Sequence, residues 1–457
     1  MLTSAILETL KRHFRGELLT PADTDYDSQR KIFNVMFDRR PALIARCSSA
    51  DDVVTCIQVA RDAGLDVTVR GGGHSAAGNS VADGSLMIDL SAMKAIKIDP
   101  VRKRLRAQAG LRLGEVDRAT HELGLATPLG TVTRTGIAGL TLGGGLGWLN
   151  GRYGLACDNV TSFDVVTAHA QRLAASAQQH PDLHWALRGG SGNFGVVTSF
   201  EYQLHPVKNV FAGLVVYPFS AALDVLTFFF DYAPTTTDEL TTAVGLLTLP
   251  DGTPAVGMIG CYCGDRADAE RVLQPLRNFG TPMEDTFQWR PYVEVQAMFD
   301  PMFPEGNYHY WKTHMTRTVT GEGLGLIVEA AARKLSPHTL VFIQHIHGAA
   351  ARVPVADTAF PHRGDRFDVN VLAQWTNPGE TEANVAWTRE LDAALRSHVD
   401  DSVYVNSLEV EGTQGARAAY GANYDRLVEI KTRYDPTNFF HHNANIVPRG
   451  AELARSA

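Results

Sequence analysis

The sequence predicts an α+β protein of more than one domain, with a large antiparallel sheet. Three observations support this class. A chain of 457 residues is too long for one ordinary core. Strand-like and helix-like segments alternate from Pro41 onward, and long strand candidates separated by helical stretches occupy residues 207–412. Four glycine-dense segments come before residue 200, which predicts a first domain that brings bare backbone close to a ligand.

The elements of the first domain follow from short sequence patterns. "ALIARC" and "DVTVRGG" are predicted strands, and "SSADDVVTCIQVARDAGL" between them is a predicted helix. Ser48 or Ser49 is its expected N-cap, and Gly64 is expected at its C-terminal end. Two further predicted strand segments and a predicted helix follow: "SLMIDLSAMKAIKIDP", "RLRAQAG" and "RLGEVDRATHELGL".

The second block predicts a wide antiparallel sheet backed by helices. Its strand candidates are "AGLVVYPF", "TTAVGLLTLP", "AVGMIGCYCG", "TLVFIQHIHG" and "FDVNVLAQW". Helices are predicted in "ADAERVLQPLRNF" and "LGLIVEAAARKL". In "FDVNVLAQW", two-residue alternation predicts that Asp368, Asn370 and Leu372 share one face of the strand. A third, short block opens with a helix that "YDPTN" is expected to terminate.

Composition narrows the class of partner. The net charge is −8 and no cluster of Lys and Arg is present, so nucleic acid and anionic membrane are not expected as partners. The N-terminus predicts a short amphipathic helix and lacks a secretory h-region. No uncharged apolar run reaches ~18 residues. The five cysteines are sparse and odd in number, which favours buried thiols in a reducing cytoplasm. We therefore expect a cytoplasmic protein that binds a small molecule.

The glycine-dense segments are "RGGGHSAAGNS", "GIAGLTLGGGLGW", "GRYGLACDN" and "GGSGNFG". Successive backbone N–H groups in such turns can bind phosphate without basic side chains. Neither a Walker A loop nor a convincing G-x-G-x-x-G in a βαβ unit is present. Any single cluster could consist of ordinary turn glycines, so the prediction depends on all four together.

The four motifs in their order resemble the FAD-linked oxidases related to berberine bridge enzyme. They are "VRGGGHSAAGNS", "GIAGLTLGGGLGWLNGRYGLACDN", "LRGGSGNFGVVTSFEYQLHPV" and "YGANYDRLVEIKTRYDPTNFFHHNANI". This flavoprotein superfamily is typified by vanillyl-alcohol oxidase and para-cresol methylhydroxylase (PCMH). The resemblance covers nearly the whole chain and is closest to bacterial 6-hydroxynicotine-oxidase-like members. It implies a two-part PCMH-type FAD-binding domain at 1–206, an inserted substrate-binding domain at 207–412 and a C-terminal berberine-bridge-like segment at 413–457.

The resemblance also implies where FAD binds. The glycine loop would cradle the FAD diphosphate, and His74 would bond covalently to the 8α-methyl carbon of the flavin. The implied cofactor-binding residues are Arg70, Gly71, Gly72, Gly73, His74, Ser75, Asn79, Thr135, Gly136, Gly139, Leu140, Gly145, Gly147, Tyr153, Gly154, Cys157, Asp158, Asn159, Gly195, Val197, Asn423, Asn443 and Asn445.

A second, cysteinyl link is not expected. Many relatives carry that cysteine about 60 positions after the histidine, and the matching slot here falls at about Val132. Cys157 belongs to another segment and is interpreted as a buried small residue, with a Cys157–flavin bond as the alternative.

The resemblance implies hydride transfer from a small organic substrate to FAD and reduction of O2 to H2O2. Tyr420 and its companion Asn423 map to the family's Y-x-x-N stretch near the reacting centre, where Tyr420 would act as base or orient the substrate. Asn370 would orient substrate, while His345 and His309 are further catalytic candidates. A metal site at His345 and His347 lacks an acidic third ligand, so no metal is expected.

Several functions stay open on the sequence alone. The leading hypothesis is an oxidase of an alcohol or amine, and the aromatic-rich "MFDPMFPEGNYHYW" favours an aromatic or cyclic substrate. A dehydrogenase with another electron acceptor, a non-catalytic flavin-binding protein and a UDP-N-acetylmuramate reductase-like enzyme are the alternatives. The sequence does not indicate substrate identity or oligomeric state.

Overall fold

A computed structural model describes residues 3–408 and 412–450, without the side chains of 412–414. The strands of the N-terminal part are β1 (Glu17–Leu19), β2 (Leu43–Arg46), β3 (Val67–Arg70), β4 (Leu86–Asp89), β5 (Ile96–Asp99), β6 (Arg104–Gln108), β7 (Leu125–Ala126), β8 (Val160–Val166), β9 (Arg172–Ser176), β10 (Val196–Gln203) and β11 (His205–Pro206). The later strands are β12 (Asn209–Pro218), β13 (Leu240–Thr248), β14 (Pro254–Tyr262), β15 (Glu284–Asp285), β16 (Gln288–Pro291), β17 (Tyr308–Thr316), β18 (Leu340–Ile346) and β19 (Arg366–Trp375).

The α-helices pack against these strands and between the sheets. They are α1 (Ser4–His13), α2 (Tyr26–Gln29), α3 (Ala50–Asp62), α4 (Leu113–His121), α5 (Ile137–Leu142), α6 (Asn150–Tyr153), α7 (Pro181–Leu187), α8 (Ala222–Tyr232), α9 (Ala269–Arg277), α10 (Tyr292–Gln296), α11 (Gly321–Ala332), α12 (Gly348–Arg352), α13 (Thr381–Leu395), α14 (Gly412–Tyr420) and α15 (Tyr424–Tyr434). None of the helices within the described ranges combines the length and apolarity needed to cross a bilayer.

Two sheets form the N-terminal part. A four-stranded sheet has the order β1-β2-β4-β3, in which β4 pairs in parallel with β2 and β3. A five-stranded antiparallel sheet has the order β5-β6-β10-β8-β9. One continuous apolar core joins the two sheets, the helices between them and the C-terminal helices α14 and α15. The β3 strand ends at Arg70, so the glycine-rich loop begins at the edge of this core.

Helix α3 illustrates how the local sequence sets an element. Ser49 is the N-cap, its side chain accepts from the backbone N–H of Asp52, and the Asp52 carboxylate accepts from the backbone N–H of Ser49. This reciprocal capping box satisfies two N–H groups that a helix start leaves unpaired. Gly64, with φ of +62°, follows the C-cap Ala63. The predicted helix and its end signals are confirmed.

An eight-stranded antiparallel sheet occupies the later part of the chain. Its order is β15-β12-β14-β13-β18-β19-β17, with β16 pairing β12. One face packs against α8, α11 and α13 in a second apolar core, which contains Val369, Val371 and Ala373. The predicted wide sheet backed by helices is therefore confirmed, and so is the alternation predicted for "FDVNVLAQW", because Asp368, Asn370 and Leu372 line the opposite face.

The C-terminal segment differs from its prediction in one respect. The single helix expected before "YDPTN" is two helices, α14 and α15, separated by a 3-10 turn at Gly421–Asn423. Gly421 has a φ of +47°, outside the helical region, so the chain changes direction there. The second helix ends at Tyr434, directly before Asp435 and Pro436, as predicted.

Candidate functional site

A cavity of about 410 Å³ lies between the glycine-rich loops and the free face of the eight-stranded sheet. Backbone of the N-terminal part, side chains of the sheet and the C-terminal segment all contribute to its wall. Cofactor and substrate sites commonly have this size and concavity. Among the described residues that line the cavity there is no Lys or Arg. An anion bound here would therefore be held by backbone N–H groups and not by cationic side chains.

The loop after β3 approaches a second loop without intervening side chains. A Cβ placed on Gly72 would lie 2.4 Å from both the nitrogen and the Cα of Gly136, far inside van der Waals contact. Only glycine at both positions allows the two backbones to meet so closely. The predicted cofactor-binding residues of this region that line the cavity are Gly71, Gly72, Gly73, His74, Ser75, Asn79, Thr135, Gly136, Gly139 and Leu140.

Arg70 has a different position from the one expected. Its guanidinium forms a buried ion pair with Asp89, with 2.5 Å between Nη2 and Oδ2, and it also donates to the backbone carbonyl of Gln29. Arg70 does not line the cavity. Direct cofactor contact is therefore not supported for this residue, because its guanidinium is held by Asp89 of the neighbouring strand. Arg70 instead anchors the start of the glycine loop.

His74 lies on the cavity wall at the end of a stack of three rings. Phe33 stacks on its imidazole with 3.9 Å between ring centroids, and His309 stacks on the other face of Phe33 at 4.1 Å. Nε2 of His74 is buried and has no hydrogen-bond partner among the described residues. Burial, together with the charges of Arg112 and Arg134, lowers the pKa of His74 to about 4. The imidazole is therefore neutral at neutral pH and can present a nitrogen lone pair to a ligand.

The sheet wall changes in polarity along two neighbouring strands. The register pairs Gln344 with Asp368, then Phe342 with Asn370, then Leu340 with Leu372, and all six side chains line the cavity. Near the apolar end, Leu340 and Leu372 belong to a cluster that includes Phe33, Val132 and Phe303. The cavity wall thus has a polar end at Asp368 and an apolar end beside the His74 ring stack.

Asp368 is the only carboxylate among the described residues that line the cavity. The Thr313 hydroxyl donates to its Oδ1 at 2.6 Å, and the Asn370 side-chain amide donates to its backbone carbonyl at 3.1 Å. Burial raises the pKa of Asp368, and the hydrogen bonds from Thr313 and Asn370 and the charge of His314 only partly oppose this effect. A carboxyl group with a raised pKa beside a cavity is a candidate for a group that accepts and releases a proton in a reaction.

Tyr404 and Asn406 line the cavity, although sequence reasoning missed both. The Tyr404 hydroxyl accepts from the backbone N–H of Gly145 at 3.0 Å and from the Asn406 amide at 2.8 Å. Burial raises the pKa of Tyr404, so its hydroxyl keeps its proton. These residues lie in and beside a 3-10 turn at Val405–Ser407, which has no sequence periodicity. The only available signal was the short polar run "YVNS" after a helix.

Tyr420 lies next to the cavity but does not line it. Its side chain is fully buried. The hydroxyl donates to the carbonyls of Gly190 at 3.2 Å and Ala444 at 3.4 Å and accepts from Asn193. Burial raises its pKa. A role for Tyr420 as base or in orienting the substrate is not supported by the cavity lining, because its hydroxyl is engaged by Asn193 and by two backbone carbonyls.

Neither of the two histidine candidates on the sheet lines the cavity. Gln344 of β18 points into the cavity, so alternation turns His345 to the other side, where it packs beside His347 and Phe367. His309 is separated from the cavity by Phe33, which lies between it and His74. Burial lowers the pKa of both histidines to about 3, which makes them neutral. Of the four catalytic candidates, Asn370 alone lines the cavity.

The predicted cofactor residues between Gly145 and Asn159 support the structure instead of lining the cavity. A Cβ on Gly147 would lie 1.7 Å from the Leu129 carbonyl oxygen, so Gly147 is required by backbone packing. Asp158 forms a buried ion pair with Arg363. Tyr153 is half-buried and stacks on His205. The remaining members of this group are buried: Gly145, Gly154, Cys157 and Asn159. Direct FAD contact is not supported for any of them.

Of the remaining predicted cofactor-binding residues, some line the cavity and others do not. Gly195, Val197 and Asn443 line the cavity. Asn423 does not, because its amide donates to the carbonyls of Val355 and Thr358. Asn445 also lies outside the lining, although its Oδ1 is buried without a partner among the described residues. The role of the lining residues in FAD binding stays a prediction.

One group of side chains could offer ligands to a metal ion. His442, which lines the cavity, has its Nε2 2.6 Å from an Asp66 oxygen, and Nε2 of His441 lies 3.2 Å from the other oxygen. Burial alone would raise the pKa of Asp66, but the two histidines outweigh it and hold that pKa well below its usual range. The three side chains already satisfy one another, so the cluster ties the C-terminal segment to the residue before β3.

Comparisons with known proteins agree with this geometry. A family described as "FAD binding domain" matches residues 41–176, and one described as "Berberine and berberine like" matches residues 403–447. Together with relatives that are 31% and 33% identical over 96% of the chain, these matches show that the chain belongs to the FAD-linked oxidoreductases with a berberine-bridge-like C-terminal segment. It is an enzyme that uses FAD.

Two relatives and one solved structure illustrate the relationship. The FAD-linked oxidoreductase YgaK of Bacillus subtilis is 31% identical, over 96% of this chain and 98% of YgaK. (R)-6-hydroxynicotine oxidase of Paenarthrobacter nicotinovorans is 33% identical, over 96% of this chain and 98% of its own length. The crystal structure of 6-hydroxy-D-nicotine oxidase from Arthrobacter nicotinovorans superimposes with a TM-score of 0.88 at 30% identity, covering 98% of this chain and 99% of that one. The family and fold implied by the sequence motifs are confirmed.

Proposed function

We propose that the enzyme is an oxidase that carries FAD on a single covalent bond to His74 and reduces O2 to H2O2. The observation that supports this most strongly is the buried, unpartnered Nε2 of His74 on the cavity wall. A neutral imidazole on the wall of a cofactor cavity has a nitrogen lone pair that is chemically suited to bond the flavin 8α-methyl carbon. Gly72 and Gly136, which meet without intervening side chains, can offer backbone N–H groups to a diphosphate. No Lys or Arg is among the described residues that line the cavity, so the backbone would be the main source of these hydrogen bonds.

A single attachment is supported by the positions of two other residues. Val132 occupies the slot where many relatives carry a second cysteine, and it lines the cavity with an apolar side chain. Cys157 is fully buried and lies outside the cavity lining, and burial raises the pKa of its thiol. A protonated thiol is a poor nucleophile. Neither residue is therefore suited to form a second link.

FAD, when bound, supplies the acceptor for a hydride from a substrate C–H bond. Asp368 is the group that can take the accompanying N–H or O–H proton, on Oδ2, because Oδ1 is engaged by Thr313. Asn370 and Gln344 can orient the substrate through their amides, since both line the cavity beside Asp368. The apolar side chains around Leu372 exclude water from the same space.

All five cysteines are buried and unpaired, which supports the proposal of a reducing, cytoplasmic location.

Reoxidation tests the oxidase proposal directly. The holoenzyme is reduced with one equivalent of dithionite without oxygen and then mixed with air-saturated buffer in a stopped-flow instrument. We expect the oxidised flavin spectrum to return within seconds, with one H2O2 formed per flavin. Recovery over many minutes, with fast recovery only on addition of an artificial electron acceptor, would make the protein a dehydrogenase instead.

A further inference from the structure

The cavity face of the sheet has one anionic group and a separate apolar region, and this arrangement selects among substrates. On the basis of the proposed function, we infer that the substrate is a small amine that binds as a cation at Asp368, with an apolar, preferably aromatic body packed toward Leu340 and Leu372. This narrows the alcohol-or-amine range that the family resemblance leaves open.

The balance of charged side chains around the cavity supports a cationic group on the substrate. Asp368 is a buried residue with 4% of its surface exposed, yet no Lys or Arg is among the described residues lining the cavity. His314, whose charge acts on Asp368, already has its Nε2 3.2 Å from the Asp392 carboxylate. An ionised carboxylate in such a place is costly unless a cation or several hydrogen bonds compensate it. A substrate ammonium group would supply that charge, whereas an alcohol would not.

The side chains in the rest of the cavity wall favour a substrate whose remaining part is apolar. Phe299, Met302 and Phe303 line the cavity from the segment after α10, and Phe342 and Leu372 line it from the sheet. The polar side chains that the sheet contributes are Gln344, Asp368 and Asn370, all at one end. A hydroxyl-rich sugar would leave most of its polar groups without partners against the apolar end, which is unfavourable. A flat hydrocarbon ring fits this region without that cost.

The reaction balances for an amine. The bound ammonium ion loses one N–H proton to Oδ2 of Asp368, and the adjacent carbon then gives its hydrogen, with the bonding electron pair, to FAD. The C–N single bond becomes the C=N bond of an iminium ion, which water hydrolyses after release to a carbonyl compound and an amine. The two electrons pass to O2, which takes up two protons and becomes H2O2. The proton on Asp368 returns to solvent.

A matched pair of ligands tests the inference. 1-Phenylethylamine and 1-phenylethanol differ in the group that would face Asp368 and share the same ring. Each is titrated into oxidised holoenzyme at pH 7.5, with binding followed by the change in flavin absorbance, and xylobiose serves as the sugar probe. We expect the amine to bind roughly 10- to 100-fold more tightly than the alcohol, as a hydrogen bond between charged groups implies, and xylobiose not to bind.

Two variants locate the source of that preference. Asp368→Asn keeps the size of the side chain and should reduce the preference to about two-fold or less. Asp365→Asn, an exposed change at the start of the same strand segment, should leave it intact. Equal affinities in the wild type, a preference for 1-phenylethanol or xylobiose, failure of the amine to bind, or a preference that survives in Asp368→Asn would each overturn the inference. Dithionite reduction and reoxidation are measured on the same samples, so a failure of the oxidase proposal is recognised separately.

Discussion

The ring stack of His74, Phe33 and His309 joins the proposed cofactor bond to the sheet. Stacking at about 4 Å restricts the imidazole plane of His74, while the burial of both histidines keeps them neutral. Asn34 holds the backbone at the far end of the stack. Its side-chain amide donates to the backbone carbonyl of His309 at 2.8 Å, and its side-chain oxygen accepts from the backbone N–H of His309 at 3.0 Å. Phe33 is therefore a positioning residue for His74.

Replacing that ring tests its positioning role. Phe33→Leu preserves apolar volume but removes the stacking partner of both imidazoles. We expect the fraction of flavin that stays with acid-precipitated protein to fall, while total flavin in the native protein changes little. Phe228→Leu, which removes a stacked ring beside Phe279 in the helical layer, is the matched control. An unchanged acid-stable fraction in Phe33→Leu would show that the stack does not position His74.

At the scale of elements, the proposed cofactor site depends on the close backbone contact between two glycine-containing loops. The loop after β3 and the loop before α5 touch through Gly72 and Gly136, and no side chain can occupy the space between them. Gly136 is also the N-cap of α5, so a displaced loop would move the start of that helix. The two elements must therefore shift together if either glycine gains a Cβ.

Gly72→Ala should separate the loops. Its Cβ would lie 2.4 Å from backbone atoms that cannot rotate away, so we expect a lower melting temperature and a markedly lower ratio of flavin to protein absorbance after purification. Gly325→Ala provides the control, because a Cβ there meets nothing within 4 Å and alanine favours the helix α11. Full flavin content in Gly72→Ala would mean that the close approach is not needed for the cradle.

Sequence patterns predicted the elements better than the contacts between them. The alternation in β19 identified the face that carries Asp368, Asn370 and Leu372, since that periodicity is a local property. The same rule puts His345 and His347 of "HIHG" on one face, but it does not say which face of the strand meets the cavity. Strand β17 contains the polar and aromatic run "YHYWKTHMT", which has no clean alternation and was not recognised as a strand.

At the scale of the whole molecule, the site depends on contacts between distant segments. Gly145 of the N-terminal part donates to Tyr404, and Asp158 pairs with Arg363, although more than 200 residues separate each pair. Such pairings depend on tertiary structure, which explains why the motif around Tyr420 was predicted at the reacting centre while Tyr404 was missed. The glycine loop and His74 were predictable because they form one short, continuous motif.

A buried acid between helices α4 and α10 should make stability depend on pH. Burial raises the pKa of Asp117 to about 7, against a hydrogen bond from the Gln296 amide at 3.1 Å. The unfolded chain loses this proton near pH ~4, whereas the folded chain keeps it to about pH 7. The folded state thus binds more protons in this window, and its stability falls as pH rises from ~4 to ~7, by up to ~4 kcal/mol.

Asp117→Asn removes that titration. An asparagine can still hydrogen-bond Gln296, whose Oε1 is buried without a partner among the described residues. We expect the melting temperature of the variant to exceed that of the wild type at pH 8 and the difference to shrink at pH 5, as measured by differential scanning fluorimetry. Asp365→Asn, on the surface, should show no such pH-dependent difference. A constant difference between wild type and Asp117→Asn at both pH values would refute the assignment.

The mass of the denatured chain tests the cofactor attachment most directly. Protein saturated with FAD is unfolded in acid, separated from free small molecules and weighed intact, and its flavin-containing peptide is then sequenced. We expect the wild-type chain to be heavier by one FAD, with the added mass on the peptide that contains His74, and His74→Ala to have the mass of the bare chain. A bare wild-type chain with all FAD in the supernatant, or an FAD adduct retained by His74→Ala, would contradict the proposed bond.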